Sequence, residues 1–196
     1  MNSQITYSVS ILCGGKSTRM GRDKALLDWN GKPLLQHIAG SFSSCSDLFL
    51  SVRDEHQYTD FPYRKVCDQV MGSGPLAGLC ASLQAAVHDI LFITTCDAPL
   101  VDAAAAGALV CALKEHDCAV PVSEQSRIHP LIAVYRKSVL PAALDHLKMN
   151  DLRIRSLLRD LDTFYYPAEN LPSGELTLAN LNTTEEAEKL RIYLHS

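Results

Sequence analysis

The sequence predicts an α/β protein, with a mostly parallel central sheet covered by helices on both faces. Three observations carry that expectation. Short runs of apolar and β-branched residues recur along the chain, longer stretches with apolar residues at helical spacing separate them, and the first run breaks off into glycines and cations. Near-continuous apolar character means that both faces of a strand are covered, as in a parallel sheet. Alternation of strand and helix then puts a helical layer on each side of that sheet.

The elements follow in order. Residues 7–13 (YSVSILC), 48–52 (LFLSV), 64–68 (RKVCD) and 90–97 (ILFITTCD) read as strands, and 118–122 (CAVPV) and 130–135 (PLIAVY) continue the series. Asn30-Gly31, between ALLDW and KPLL, predicts a tight turn inside the domain rather than a linker. Pro33 opens a helix at a favourable first-turn position, with Leu34, Leu35 and Ile38 on one face. Pro75 opens a second, carrying Leu76, Leu79, Leu83 and Ala86. Asp102 is placed to cap the alanine-rich stretch to Leu113, and Ser138 a helix bearing Leu140, Leu144 and Leu147. Ile154, Leu157, Leu158 and Leu161 form another stripe. Thr183 and Glu186 have capping-box spacing at the start of the last helix.

Composition narrows the function. A chain of 196 residues is expected to form a single domain, 1–196. The formal net charge of -4 argues against duplex nucleic acid as a partner. The seven cysteines form no C-x-x-C pair and most sit in apolar runs, so reduced core thiols fit better than disulfides or structural zinc. The opening MNSQITYSVS lacks a basic region and a long apolar core, and no run approaches the ~18 apolar residues of a membrane span. The expectation is a cytoplasmic protein without a membrane partner.

Residues 11–35 hold the chemistry. Lys16, Arg19, Arg22 and Lys24 crowd together directly after a buried strand, beside Gly14 and Gly15. Clustered cations repel one another unless an anion sits among them, and glycines let backbone N–H groups approach phosphate oxygens. Two familiar phosphate loops fail here. A P-loop would need glycine where Ser10 stands, and Gly14, Gly15 and Gly21 do not have dinucleotide-fingerprint spacing.

The segment LCGGKSTRMGRDKALL resembles the signature L-A-G-G-x-S-x-R-M-G-x-D-K of the α/β nucleotidyltransferases. Leu12, Gly14, Gly15, Ser17, Arg19, Met20, Gly21, Asp23 and Lys24 fall in register, and Cys13 replaces the usual alanine. Within that superfamily the chain most resembles the molybdenum cofactor guanylyltransferases, the MobA group. GPLAGL (74–79) is similar to the group's second motif, and TTCDAPLV (94–101) to its metal-binding C-D-x-P segment. RIHPLIAVY (127–135) is similar to the H-P strand on the acceptor side, and LANLNTTEE (178–186) to the closing N-x-N-T-x-E-E. The resemblance implies a Rossmann-like three-layer fold and transfer of GMP from GTP to the terminal phosphate of molybdopterin, with release of pyrophosphate. It also implies Mg2+, with Mn2+ as a substitute, and cofactor-delivery proteins as further partners. The alternatives are a relative using CTP or a sugar-phosphate acceptor, and a nucleotide-binding module without catalysis.

Residue roles follow from that likeness. Asp97 and Asp68 stand at predicted strand ends, where ligands collect in open α/β sheets. Taken alone, either reads more readily as a turn or capping residue. The resemblance makes Asp97 the principal metal ligand and puts Asp68 close to nucleotide and metal. Lys24 suits the triphosphate as a compact charge, and Arg19 can grip leaving phosphate oxygens bidentately. Leu12, Cys13, Gly14, Gly15 and Gly78 would line the GTP site, with Arg53 standing where relatives tend to carry asparagine. The paired glycines and the GPLAG form point to guanine. His129 and Pro130, with Asn180 and Asn182, would face the acceptor. His129 reads equally as a structural histidine, and the asparagines as local backbone partners.

Overall fold

The computed structural model describes residues 6–13, 23–67, 74–181 and 183–195. Among the described residues seven strands form one sheet: β1 (Ser8–Leu12), β4 (Leu48–Val52), β5 (Arg64–Cys67), β6 (Ile90–Thr95), β7 (Cys118–Val122), β8 (Ala133–Arg136) and β9 (Thr163–Pro167). Their order across the sheet is β5-β4-β1-β6-β8-β7-β9. Pairing is parallel throughout β5-β4-β1-β6 and between β7 and β9. Only β8 runs against its neighbours β6 and β7. The ends of β1, β4, β5, β6 and β7 therefore open on one edge of the sheet. A separate hairpin joins β2 (Asp28–Trp29) to β3 (Lys32–Pro33). Asn30 (φ 54°) and Gly31 (φ 78°) form its turn, with the positive φ angles that a two-residue hairpin demands.

Side chains alternate across the sheet into two cores. Val9, Ile11, Leu50, Val52, Phe92 and Val134 point to one face, where α1 (Leu34–Gly40), α3 (Ala103–Leu113) and α6 (Thr184–His195) pack. Phe49, Leu91, Ile93, Val120 and Tyr135 point to the other, under α2 (Gly74–Ala85), α4 (Leu140–Lys148) and α5 (Ile154–Asp160). This is the expected three-layer arrangement, and the period of two explains why each strand reads as continuously apolar. Asp102 caps α3, its carboxylate accepting from Ala105 N–H at 2.8 Å. Thr183 caps α6 through Glu186 N–H at 3.0 Å.

Several expectations need correction. No strand begins at Pro130: residues 130–132 turn, closed by Ile132 N–H to the His129 carbonyl at 3.1 Å and by the Tyr135 hydroxyl to the Pro130 carbonyl at 2.7 Å. Ser138 caps nothing, because a 3-10 turn at Lys137–Val139 feeds straight into α4. Pro33 precedes α1 rather than lying in its first turn. The strand expected to reach Asp97 stops at Thr95, and the strand expected to reach Asp68 is described as far as Cys67, with Asp68 outside the described residues. β9 is a further strand; its aromatic TFYY run lies at the sheet's edge beside β7, half covered, and lacks the continuous apolar pattern of the others.

Candidate active site

The open edge of the sheet gathers the sequence-predicted residues that lie within the described chain. Asp97 follows β6 in a turn closed by Ala98 N–H to the Thr95 carbonyl at 3.4 Å. The Thr95 hydroxyl donates to Asp97 Oδ1 at 2.7 Å, and Lys24 Nζ lies 3.3 Å from Asp97 Oδ2. Both side chains of this ion pair are partly open to solvent, at 28% for Lys24 and 17% for Asp97. The Asp97 carbonyl also accepts from Leu181 N–H at 2.7 Å, so Asn180 is held beside this turn. His37, in α1, braces the same segment through a 2.9 Å hydrogen bond between Nε2 and the Pro99 carbonyl.

Lys24 opens a 3-10 turn (Lys24–Leu26) capped by Asp23, whose Oδ1 accepts from Ala25 N–H at 3.0 Å. Asp23 Oδ2 accepts from the Tyr58 hydroxyl at 2.7 Å, and that hydroxyl lies 3.5 Å from the Cys13 carbonyl. Tyr58 comes from the connection between β4 and β5. Burial and the Asp23 carboxylate push its phenol far above the ordinary value, so it remains a donor at any working pH. Thr95, His37, Tyr58 and Leu181 were not expected to serve the site. Thr95 acts locally, two residues from Asp97, while His37, Tyr58 and Leu181 owe their places to contacts that only the folded chain makes, His37 across 62 residues.

Leu12 and Cys13 end β1 beside β6, with Cys96 N–H donating to the Leu12 carbonyl at 3.1 Å. Contact with the Cys96 thiol, together with burial, pushes the Cys13 thiol well above its usual range and keeps it neutral. Gly78 lies buried in α2 against the sheet, where an added Cβ would come within 3.1 Å of Leu12 Cδ2 and 3.4 Å of Ser51 Oγ. Arg53 follows β4 at the same edge, exposed, its N–H donating to Gln57 Oε1 at 3.1 Å. His129 N–H bonds the Pro121 carbonyl of β7 at 2.9 Å, past the stretch of that strand that pairs with β8. Burial, then the charge of Arg127, lowers the His129 pKa, so the imidazole is neutral at pH 7. Gly14, Gly15, Arg19, Asp68 and Asn182 lie outside the described residues.

The arrangement offers one fixed carboxylate, one cation and a row of strand-end backbone groups, which suits a phosphate-rich ligand. Among the described residues no group of three or more His, Cys, Asp or Glu side chains could hold a metal ion. A hard cation that keeps phosphate and water ligands needs only one or two carboxylates, and Asp97 offers one whose orientation Thr95 fixes. Among the described residues, too, no helix is long and apolar enough to cross a membrane.

Known proteins resemble this chain in sequence and fold. The family model of the MobA-like NTP transferase domain matches residues 9–164. A probable molybdenum cofactor guanylyltransferase of Flavobacterium johnsoniae is 29% identical over 96% of this chain and 98% of its own length. Its counterpart in Carboxydothermus hydrogenoformans is 33% identical over 93% and 94%. The crystal structure of molybdopterin-guanine dinucleotide biosynthesis protein A from Archaeoglobus fulgidus superposes with a TM-score of 0.83 over 96% of this chain and 98% of that one, at 22% identity. With a family model that covers residues 9–164 and a shared α/β fold, the chain belongs to the MobA-like NTP transferase family.

Proposed function

We propose that this protein transfers GMP from GTP to the terminal phosphate of molybdopterin, releasing pyrophosphate. The observation that carries the reading is the pairing of Lys24 with Asp97 at the carboxyl ends of parallel strands, in a chain whose relatives bear the name molybdenum cofactor guanylyltransferase. In the reaction an acceptor phosphate oxygen forms a bond to the α-phosphorus, and the bond from that phosphorus to the β-phosphate bridge breaks. The acceptor is already ionised at neutral pH, so no strong base is needed. Alignment and charge neutralisation supply the catalysis.

Lys24 neutralises the triphosphate, exchanging its contact with Asp97 for phosphate oxygens. Thr95 fixes one Asp97 oxygen and leaves the other directed at the site. Mg2+, held by Asp97 with Asp68 as the second carboxylate, would supply charge neutralisation on the triphosphate and the departing pyrophosphate. The backbone at Leu12 and Cys13, with Gly14 and Gly15, borders the nucleotide, Arg53 flanks it, and Arg19 grips the leaving phosphates. His129, Pro130, Asn180 and Asn182 border the acceptor, where neutral His129 acts as a hydrogen-bond partner rather than a charge. The chain works as a single nucleotidyltransferase domain, and its seven cysteines, none in a disulfide, suit the cytoplasm. Mixing the protein with GTP, Mg2+ and molybdopterin should yield pyrophosphate and, by mass spectrometry, a guanine dinucleotide. A cytosine dinucleotide as the better product, or no product at all, would overturn the reading.

A further inference from the structure

The Tyr58 hydroxyl meets both residues that flank segment 14–22, the Asp23 carboxylate at 2.7 Å and the Cys13 carbonyl at 3.5 Å. A phenol has one proton, and the shorter, charge-assisted bond to Asp23 takes it. Asp23 is thereby fixed at both oxygens, since Oδ1 already caps the turn through Ala25 N–H. That turn begins with Lys24, whose ammonium reaches Asp97. A continuous line of contacts therefore runs from Tyr58 through Asp23 and the turn to Lys24.

The backbone around Tyr58 supports the same conclusion. Tyr58 has φ 57°, a left-handed conformation that is unfavourable for a residue with a Cβ. A turn closed by Phe61 N–H to the Tyr58 carbonyl at 3.0 Å, and an edge-on contact with the Phe61 ring at 6.1 Å, hold it there. The connection between β4 and β5 spends local stability to deliver one hydroxyl to the base of the site.

We propose that Tyr58 is a positioning residue for nucleotidyl transfer, setting the place of Lys24 by holding the Asp23 carboxylate that caps its turn. The proposal rests on the phosphate-binding role of Lys24 and not on the choice of guanine or acceptor. Its probe is accordingly magnesium pyrophosphate, the product released whichever base is used.

Affinity is measured by calorimetry for the parent, Tyr58→Phe, Lys24→Ala and the double variant. Tyr58→Phe should weaken pyrophosphate binding about tenfold, the scale of one hydrogen bond to a charged group. In the Lys24→Ala background the same change should cost less than about twofold, because the group being positioned is gone. Asp23→Asn reaches the same linkage from the other side; it should match the loss of Tyr58→Phe and add little to it. A merely structural tyrosine would lower the melting temperature and give losses that add to those of Lys24→Ala. Additive losses, or unchanged affinity in both Tyr58→Phe and Asp23→Asn, would overturn the proposal. Failure of the guanylyl reading would instead show in the parent protein, as the wrong dinucleotide product.

Discussion

At Asp97, hydrogen bonds from the hydroxyl of Thr95, the ammonium of Lys24 and the backbone N–H of Leu181 converge on a single residue. Asp97→Asn keeps the shape and the Thr95 contact while removing the anionic charge. It should fold normally and lose transfer activity; turnover near the parent rate at saturating Mg2+ would reject Asp97 as metal ligand. Lys24→Ala should cost about 2–4 kcal/mol of transition-state stabilisation, read as kcat/KM for GTP. Lys16→Ala should cost far less, and equal losses would mean a diffuse basic patch rather than a placed cation. Lys24 and Asp97 were both legible in the sequence, because their chemistry is tied to local motifs, a glycine-cation run and a C-D-x-P turn. Tyr58 was not. It sits 35 residues from Asp23 in a connection with no periodicity, and its role arises from a left-handed backbone that no local pattern announces.

Helix α2 shows how an element can serve packing and site together. Gly78 lets it lie close against β1 and β4, and an alanine there would crowd Leu12 at 3.1 Å. Alanine gains about 1 kcal/mol of helix propensity, close to what a small overlap costs when the neighbour can yield. Leu12 is only partly buried and can yield, toward the nucleotide edge. Gly78→Ala should therefore leave the melting temperature within about 3 °C of the parent while raising KM for GTP. A clear drop in melting temperature with unchanged KM would leave Gly78 a packing role alone. The opposite end of the sheet is stitched by Asp47, which receives Arg64 Nη2 at 2.6 Å from β5 and Val87 N–H at 2.9 Å from the turn before β6. Burial pushes the Asp47 carboxyl up, but Ser8, the Val87 N–H and Arg64 outweigh it and hold the pKa below its ordinary value. Such a group stabilises the fold above its unfolded pKa of about 3.9 and loses that contribution as pH falls through the folded value. Asp47→Asn should cost about 1–3 kcal/mol at pH 7 and show a flatter loss of melting temperature below about pH 4. Most elements were legible from apolar runs and caps. β9 and the turn before β8 were not, since an edge strand needs no continuous apolar run and the turn at Pro130 is closed by a side chain, the Tyr135 hydroxyl, that an apolar run does not announce.

At the scale of the molecule the sequence order of the strands says little about their neighbours: β1 lies between β4 and β6, and β7 is flanked by β8 and β9. The alternation of strands and helices was enough to predict layers, and the reversed direction of β8 was beyond it. Because bound ligand stabilises the whole cooperative unit, base preference is readable as a thermal shift. GTP with Mg2+ should raise the melting temperature, and CTP should raise it far less; equal shifts would separate nucleotide binding from guanine selection. Leu181 N–H, finally, reaches back to the Asp97 carbonyl, and β9 completes the sheet only at residues 163–167. On the ribosome, then, Lys24 and Asp97 emerge long before the segment that braces their turn. A nascent chain lacking that segment would own the charged pair without its final support, so competence to turn over substrate should arrive late in synthesis. Limited proteolysis tells the same story in reverse: a cut just before Leu181 should silence transfer while most of the sheet stays folded.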